Sequence, residues 1–169
     1  VDSNSQRKYL LKNKIISKNK SQVLGSGSIS GVNMNKFKYN FEDNIYIRNK
    51  YNINLENYNI LFLGRINREK GILLLIEAVK RITKYYKNIT LMLVGKIEDD
   101  SIKVINKNKK YINIKLINHT KRPEMYINAC DLLCLPSYRE GFGKVVIEAA
   151  SCGKFSLVSN IYGLKDSFI

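Results

Sequence analysis

The chain has 169 residues, and its hydrophobic fraction of 44% is sufficient for one domain with its own core. Its 29 Lys and Arg residues outnumber 14 Asp and Glu residues, which gives a formal net charge of +15. This charge fits a nucleic acid, an anionic membrane surface or a phosphorylated substrate as partner, and it fits a lysine-biased surface without any partner equally well. No run approaches the roughly 18 apolar residues of a membrane span, so no stretch of this sequence is predicted to cross a membrane.

The first 58 residues give weak signals. A capping serine and helical spacing predict a helix over residues 3–16, a short apolar run predicts a strand over residues 22–24, and a second helix is predicted around residues 42–51. Residues 25–32 form a Gly/Ser-rich loop with many backbone N–H groups. This loop has two interpretations, a phosphate-binding loop or a flexible connector, and the pattern alone favours the connector.

Apolar runs and helical patterns alternate from residue 59 to residue 159. Continuous apolar strands joined by helices are typical of a parallel sheet that is covered on both faces. The sequence therefore predicts an α/β fold with a Rossmann-like parallel sheet and helices on both faces, and the alternation in the third strand places that strand nearer an edge. The predicted strands are 60–64, 89–95, 112–117, 131–135 and 155–159, and the predicted helices are 72–86, 98–110, 124–129 and 145–150.

The loops after the strands should share one rim, because ligands of such sheets bind at the carboxyl ends of the strands. Arg65 and Lys70 flank the loop after the first predicted strand. Arg offers a bidentate fork and Lys a point charge to a phosphate, and cations at a helix start are unfavourable without an anion. The alternative is a solvated loop in which Glu69 balances Lys70, and charge alone does not separate the two interpretations.

The stretch LPSYREGFGKVVIEAASC, residues 135–152, combines a glycine turn with the start of a helix. Free N–H groups at such a helix start favour an anion or hydroxyl groups. Glu140 precedes the helix and Glu148 lies within it, roughly 10 Å away at about 1.5 Å per residue, too far to share one bond. We expect them to contact different parts of one extended ligand, the alternatives being a loop charge for Glu140 and a surface charge for Glu148.

Other polar and titratable residues have structural interpretations. Lys144 is predicted to pair with Glu148 at i,i+4 spacing in preference to binding phosphate. His119 is the only histidine and has no partner in the sequence, so it is expected to be structural or to line a pocket. The cysteines lack metal-ligand spacing, and buried reduced thiols are expected at Cys130, Cys134 and Cys152.

Several of these motifs together resemble one family. Residues 62–71 (FLGRINREKG), 91–95 (LMLVG) and 129–153 (ACDLLCLPSYREGFGKVVIEAASCG) resemble the C-terminal, nucleotide-sugar-binding half of retaining group-1 glycosyltransferases with the GT-B fold. Residues 25–37 (GSGSISGVNMNKF) resemble the segment that enters this half. The PS-x-x-EGFG frame followed by a helical Glu is the most specific part of the resemblance.

The resemblance implies transfer of a sugar from a nucleoside diphosphate sugar, with UDP as the expected nucleotide, to a glycan or lipid-linked acceptor with retention. It implies neither a metal nor another cofactor. It implies that Arg65 and Lys70 hold the diphosphate and that Glu140 contacts the donor sugar. Glu148 is expected to accept hydrogen bonds from the ribose hydroxyls, and the neighbourhood of Asn118 is expected to meet the base. The backbone of Gly141, Phe142 and Gly143 is expected to contact the sugar and the phosphate. Similar enzymes assemble bacterial capsule, lipopolysaccharide or other polysaccharides, which implies a cytoplasmic protein with peripheral contact to the inner face of an anionic membrane.

The resemblance also concerns domain organisation. Residues 1–169 are predicted to form a single donor-binding domain, with residues 1–58 leading into the β/α repeats of residues 59–169. The sequence lacks the N-terminal acceptor domain of the family, which would act in cis, and the closing C-terminal helices. We expect a piece of a longer enzyme that folds but does not turn over alone.

The residues themselves leave two other classes of function as alternatives. A GT-B-like sugar-nucleotide epimerase would show a different acidic and histidine arrangement, and a phosphorylase would need a pyridoxal-phosphate lysine site that the sequence does not reveal. A basic module that binds RNA or a membrane without catalysis is the other alternative. Nucleic-acid binding is not predicted, because no RNA-binding or helix-turn-helix pattern accompanies the tyrosines and lysines.

Overall fold

The computed structural model describes residues 1–28 and 30–168. Within them, two helices precede the first strand, and strands and helices then alternate up to the last strand. The helices are α1 (Asn4–Lys12), α2 (Phe41–Lys50), α3 (Ile72–Ile82), α4 (Ser101–Asn108), α5 (Pro123–Ala129) and α6 (Lys144–Ser151). The strands are β1 (Tyr58–Leu63), β2 (Ile89–Val94), β3 (Asn113–Ile117), β4 (Leu132–Leu135) and β5 (Phe155–Val158).

The five strands form one parallel sheet in the order β3-β2-β1-β4-β5. Every residue of β2 is buried, because the strand lies inside the sheet and is covered on both faces. β3 lies at one edge, which confirms the expectation drawn from its alternation. β5 forms the other edge, and its Phe155 and Leu157 are exposed. The predicted α/β sheet, with its strands in the predicted places, is confirmed.

The predicted strand over residues 22–24 is wrong, since these residues pair with no strand of the sheet and have no regular secondary structure. The Val1 nitrogen instead donates to the Gln22 carbonyl at 3.1 Å, so this segment contacts residue 1 and not the sheet. The Gly/Ser-rich loop predicted over residues 25–32 includes Ile29, which lies outside the described residues. Near it, the Ser28 N–H donates to the Asp2 carbonyl at 2.8 Å.

The helix predicted over residues 3–16 begins as expected but ends earlier. The Ser3 hydroxyl caps α1 by accepting from the Gln6 N–H at 3.3 Å. Lys14 has a φ of 56°, and the N–H groups of Lys14 and Ile15 donate to carbonyls of the last helical turn. This is a Schellman motif, in which a left-handed residue closes the helix end, and sequence periodicity did not reveal it.

Two further helices are shorter than predicted. α3 ends at Ile82 instead of residue 86, because the next residues fold into i to i+3 turns in which Tyr85 N–H donates to Ile82 carbonyl at 3.0 Å. α4 begins at Ser101 instead of residue 98. The Asp99 carboxylate accepts from the N–H groups of Ser101 and Arg68, and this ties the preceding residues to the loop after β1.

The core is continuous on both faces of the sheet, and the three cysteines belong to it. Cys130, Cys134 and Cys152 are buried and free, as predicted. Burial raises the pKa of the Cys130 thiol to about 12 and that of Cys134 to about 11. Both thiols therefore remain protonated near neutral pH, and they behave as small apolar side chains.

A buried arginine fastens α2 to the sheet. Arg48 is 3% exposed, and its guanidinium donates to the Asp131 carboxylate at 2.7 Å and to the Asn57 carbonyl at 2.9 Å. Asp131 also accepts from the Asn59 N–H at 2.6 Å, so one carboxylate joins α2, β1 and the start of β4. Because buried charges require such partners, this cluster fixes how the segment before β1 packs.

The strand order places a crevice between β1 and β4. The chain moves outward from β1 through β2 to β3 and then returns to the other side of β1 with β4. Parallel α/β sheets bind ligands outside the carboxyl ends of their strands at such a reversal, because the two adjoining loops diverge there. The loops that follow β1 and β4 therefore form the expected ligand site.

Candidate functional site

The loops after β1 and β4 are in direct contact. The Tyr138 N–H donates to the Glu69 carbonyl at 2.9 Å. Gly71, which has a φ of 74° and precedes α3, lies so close to the second loop that a Cβ there would be 2.0 Å from the Pro136 carbonyl oxygen. Only glycine combines this left-handed conformation with such a close approach. This backbone hydrogen bond and the close approach of Gly71 to Pro136 therefore hold the two loops together at the switch point.

Lys70 and Glu140 form the centre of the site. The Lys70 ammonium lies 2.7 Å from Glu140 Oε1, although the residues are seventy positions apart, and the two side chains are 12% and 14% exposed. The hydroxyl of Ser137, a residue only 1% exposed, donates to the same oxygen at 2.8 Å. A mostly buried cation and carboxylate that meet in a crevice are typical of functional sites.

The Lys70–Glu140 pair contradicts the alternative interpretation of this loop, in which the loop is solvated and Glu69 balances the charge of Lys70. Glu69 instead pairs with Arg139 at 2.9 Å. Ser137 was not among the predicted site residues, although it belongs to the PS-x-x-EGFG frame. Its position was not identifiable from the sequence, because a serine in a loop is ordinarily exposed, whereas Ser137 is buried.

Arg65 approaches the same crevice from the start of the first loop. Its side chain is 59% exposed, and its guanidinium donates to Glu98 Oε2 at 3.1 Å. The Asn67 amide donates to the same carboxylate oxygen at 3.0 Å. Glu98 follows β2, so the loops after β1 and β2 are also joined. An exposed ion pair of this kind is weak, and the Arg65 side chain can exchange Glu98 for another anion at little cost.

Two cavities adjoin these side chains. One of about 560 Å³ is lined by Arg65, Lys70, Glu140 and Gly141 and, on its outer side, by α1. A second of about 230 Å³ lies between the same three charged residues and the start of α6 at Lys144. The structure thus brings together the three residues predicted to act at the diphosphate and the donor sugar, and it gives them space for a ligand.

The glycine turn after Glu140 directs the chain into α6. Gly143 has a φ of 78°, and a Cβ there would be 2.3 Å from Leu164 Cδ2, so glycine is required. The Phe142 ring lies against Gly27, and it lines a different cavity of about 780 Å³. Phe142 can therefore contribute its backbone to the crevice, while its side chain packs elsewhere.

The remaining two predicted residues lie apart from this cluster. Asn118 is exposed just after the edge strand β3, and its side-chain oxygen accepts from the His119 N–H at 2.8 Å. His119 is exposed as well. Glu148 lies in α6, where its side chain is 13% exposed and Lys144 is 3.7 Å away, which agrees with the predicted i,i+4 pair. The described residues place neither Asn118 nor Glu148 on the walls of the two cavities.

Burial raises the pKa of the Glu148 carboxyl above its ordinary value, and the Lys144 charge opposes this shift. The protein therefore offsets only part of the free-energy cost of burying the Glu148 charge. The carboxylate is thus prepared to accept hydrogen bonds from ligand hydroxyl groups, which lower the cost of its burial.

The Glu148 shift predicts how stability depends on pH. Because the folded-state pKa is the higher one, the stability that this group contributes is present below the unfolded pKa and is lost as pH rises through the folded pKa. Glu148→Gln should remove that loss, so its unfolding free energy relative to the parent chain should be higher at about pH 7 than at about pH 4. Urea unfolding at both pH values measures the difference. Lys144→Gln should act in the opposite direction, since it removes the opposing charge, and equal behaviour of both variants would contradict the assignment.

The described residues hold no group of three or more His, Cys, Asp or Glu side chains arranged for a metal ion. In residues 1–28 and 30–168, every helix is too short or too polar to cross a membrane.

Fold and site together define a Rossmann-like domain with a charged crevice at its switch point, and comparison with known proteins identifies the family. The family model described as "Glycosyl transferases group 1" matches residues 43–169. The chain belongs to the group 1 glycosyl transferases. The capsular polysaccharide biosynthesis glycosyltransferase CapM of Staphylococcus aureus is 30% identical over 172 residues, covering 99% of this chain and 44% of CapM.

Solved structures support the same fold. Anabaena HepE in complex with UDP-glucose superposes with a TM-score of 0.84 at 21% identity, over 98% of this chain and 45% of HepE. The C-terminal domain of the group 1 glycosyl transferase LpcC from Francisella tularensis gives a TM-score of 0.69 at 20% identity, over 82% of this chain and 75% of that domain. The expected likeness to the C-terminal half of a GT-B glycosyltransferase is confirmed, and the chain spans less than half of CapM and HepE.

Proposed function

We propose that this chain is the donor-binding part of a glycosyltransferase that uses a UDP-sugar. The observation that carries the proposal is the Lys70–Glu140 pair at the switch point, where two family motifs distant in sequence meet at 2.7 Å. Binding of UDP-glucose by HepE, which shares the fold, supports UDP as the nucleotide. The division into a segment 1–58 and β/α repeats 59–169 within one donor-binding domain is part of the same proposal.

The roles of the charged residues follow from where charge develops during transfer. The departing diphosphate gains negative charge as the bond to the sugar breaks, and Arg65 and Lys70 are the cations that stabilise it. Lys70 must then exchange Glu140 for a phosphate oxygen, which releases the Glu140 carboxylate for hydroxyl groups of the donor sugar. Backbone N–H groups of Gly141 to Gly143 add donors at the start of α6. Transfer proceeds without a metal, because these cations and amides supply the positive charge.

The nucleoside end of the donor extends away from the crevice in this proposal. Glu148 accepts hydrogen bonds from the ribose hydroxyls, a role that suits a carboxylate with a raised pKa. Backbone groups near Asn118 meet the base at the end of β3. The sugar is transferred with retention to a glycan or lipid-linked acceptor in bacterial polysaccharide biosynthesis, in the cytoplasm, and an N-terminal domain in cis supplies the acceptor side. CapM, a capsular polysaccharide glycosyltransferase, supports this setting.

A thermal-shift panel of UDP, other nucleoside diphosphates and their sugars tests the proposal on this chain. A ligand that binds only the native state stabilises it by about 2.7 kcal/mol at a hundred times its Kd. UDP and one UDP-sugar should raise the unfolding temperature, and Arg65→Ala and Glu148→Ala should reduce that rise. The matched control is Arg68→Ala, because Arg68 lies on the same loop but pairs with Asp100 at 2.8 Å.

Two outcomes would count against the donor-binding proposal. One is an unfolding temperature that no nucleotide raises. The other is saturation only with RNA and a steep dependence on salt, as expected for a basic nucleic-acid module. For the complete enzyme, proton NMR of the anomeric position in the product tests retention.

A further inference from the structure

The amino ends of β1, β2 and β3 carry a surface that the donor site does not use. Four exposed tyrosines lie there, namely Tyr58, Tyr85, Tyr86 and Tyr111, with exposures of 48%, 83%, 68% and 54%. Tyr58 begins β1, the pair Tyr85 and Tyr86 precedes β2, and Tyr111 precedes β3. Because these strands are parallel and paired in register, their starts lie at the same edge of the sheet, opposite the crevice.

Lysines surround the four tyrosines. They are Lys80, Lys84, Lys87, Lys107, Lys109 and Lys110, and together with the tyrosines they form what we call the tyrosine–lysine face. The Lys80 ammonium lies 4.7 Å from the centre of the Tyr111 ring and that of Lys110 lies 4.9 Å from it, so the ends of α3 and α4 converge on one aromatic ring. Residues 78–97 and 101–123 contain no Asp or Glu. The surface therefore carries a local excess of positive charge.

The titration of Tyr111 agrees with this excess. A hydrogen bond from Lys110 and the nearby charges of Lys110, Lys80 and Lys107 lower the pKa of the exposed Tyr111 hydroxyl. The acidic groups that adjoin the face include Glu56, at the rim of a cavity of about 590 Å³ shared with Tyr58, Tyr85, Tyr86 and Lys87, and Glu77, which is engaged by Arg81 at 3.1 Å. They also include Asp131, which is engaged by Arg48 at 2.7 Å, and burial together with the Asp131 charge raises the pKa of the Tyr58 hydroxyl.

Helix-dipole compensation does not account for the whole face. Lysines in the last turns of α3 and α4 are favoured there in any soluble protein. Lys84 and Lys87, however, lie beyond the end of α3, and so do two tyrosines whose rings are largely in solvent. Exposed aromatic surface that is grouped in one place marks interaction sites, and the lysines among these rings indicate a partner that accepts both aromatic rings and cations.

We propose that the tyrosine–lysine face docks on an anionic phospholipid bilayer. Tyrosine and lysine each combine an apolar stem with a polar tip, which is the chemistry of the membrane interface. Clustered lysines are attracted to the negative surface potential of anionic lipids within about a Debye length. Lysine predominates, and the single arginine in residues 78–111, Arg81, is engaged by Glu77, which favours a diffuse lipid charge over bidentate recognition of individual phosphates.

The inference is independent of the donor site, because the face lies at the opposite edge of the sheet. Sedimentation of the chain with vesicles of phosphatidylcholine containing about 30% phosphatidylglycerol measures the partition coefficient. Lys84→Ala combined with Lys87→Ala should lower it by up to about 25-fold, at roughly fivefold per lysine. Tyr85→Ser combined with Tyr86→Ser should lower it without changing the charge.

Matched controls separate this face from general charge. Lys18→Ala with Lys20→Ala removes the same charge from exposed residues outside the face, and it should change the partition less than about threefold. Tyr39→Ser with Tyr46→Ser is the control for the aromatic pair. Circular dichroism of each variant verifies the fold.

Three results would overturn the proposal. They are equal losses in the face and control variants, equal partition into vesicles of phosphatidylcholine alone, and a stronger effect of Lys84 and Lys87 on binding of a single-stranded RNA oligonucleotide than on vesicle binding. The last result would assign the face to nucleic acid. None of these depends on whether UDP raises the unfolding temperature.

Discussion

Replacing Arg48 by alanine should lower the free energy of unfolding by about 3 kcal/mol, at the lower end of the range for a broken buried ion pair. The guanidinium lies 2.7 Å from the Asp131 carboxylate and also donates to the carbonyls of Asn54 and Asn57 at 3.0 and 2.9 Å. The variant leaves these acceptors without their donor. Asp131 is 35% exposed, so water replaces part of the lost interaction and keeps the effect below the upper limit.

Urea unfolding measures this change, with an unaltered m-value as the sign that both states keep their surface areas. Arg81→Ala is the matched control, because Arg81 pairs with Glu77 at 3.1 Å on the exposed face of α3, where such a pair contributes at most about 0.5 kcal/mol. Arg48→Met retains much of the aliphatic volume and isolates the effect of the charge. A loss below about 1 kcal/mol in Arg48→Ala would show that the cluster does not hold α2 on the sheet.

The burial of Arg48 was not predictable from the sequence. The helix that contains it was predicted around residues 42–51, but an arginine on a short surface helix is ordinarily solvated. Its burial depends on an acceptor eighty-three positions away, at Asp131, and on the carbonyls that follow α2. Contacts that close such long loops leave no local pattern in composition or spacing.

The sheet was far more predictable than the helix ends. Strands buried on both faces are continuous apolar runs, so β1, β2 and β4 could be located to within two residues at each end. Helix ends depend on single turns, such as the left-handed Lys14 after α1 and the Asp99 carboxylate before α4. Several residue types can occupy the positions that end a helix in this way. The hydrophobic periodicity of the sequence continues past those positions, so it does not mark them.

The sequence predicted where the candidate site lies, at the carboxyl ends of the strands, but it did not predict which side chains contact each other there. The family motifs and the strand rule placed Arg65, Lys70 and Glu140 at one edge of the sheet, and the structure brings them to shared cavities. The Lys70–Glu140 ion pair and the contribution of the buried Ser137 follow from β1 and β4 being neighbours. Sequence order alone does not specify that neighbourhood, because β2 and β3 intervene along the chain.

The Lys70–Glu140 pair predicts opposite effects of two substitutions on UDP binding. Lys70→Ala should weaken UDP binding by about 1.5–3 kcal/mol, the contribution of a hydrogen bond to a charged group. Glu140→Gln should strengthen it by about 1.5 kcal/mol, or roughly tenfold, because Lys70 no longer has to leave a carboxylate at 2.7 Å before it binds phosphate. Isothermal titration with UDP measures both affinities on this chain.

The effect of Glu140→Gln changes when the sugar is attached to UDP. Glu140→Gln loses its charged acceptor for sugar hydroxyl groups, so the UDP-sugar should gain less affinity over UDP than it does in the parent chain. Ser137→Ala should have an intermediate effect on the gain in affinity of the UDP-sugar over UDP, since it removes one hydrogen-bond donor at 2.8 Å from Glu140 but leaves the carboxylate charge. Weaker UDP binding in Glu140→Gln would mean that Glu140 positions Lys70 for the phosphate instead of competing for it, and the exchange of partners proposed for Lys70 would then be wrong.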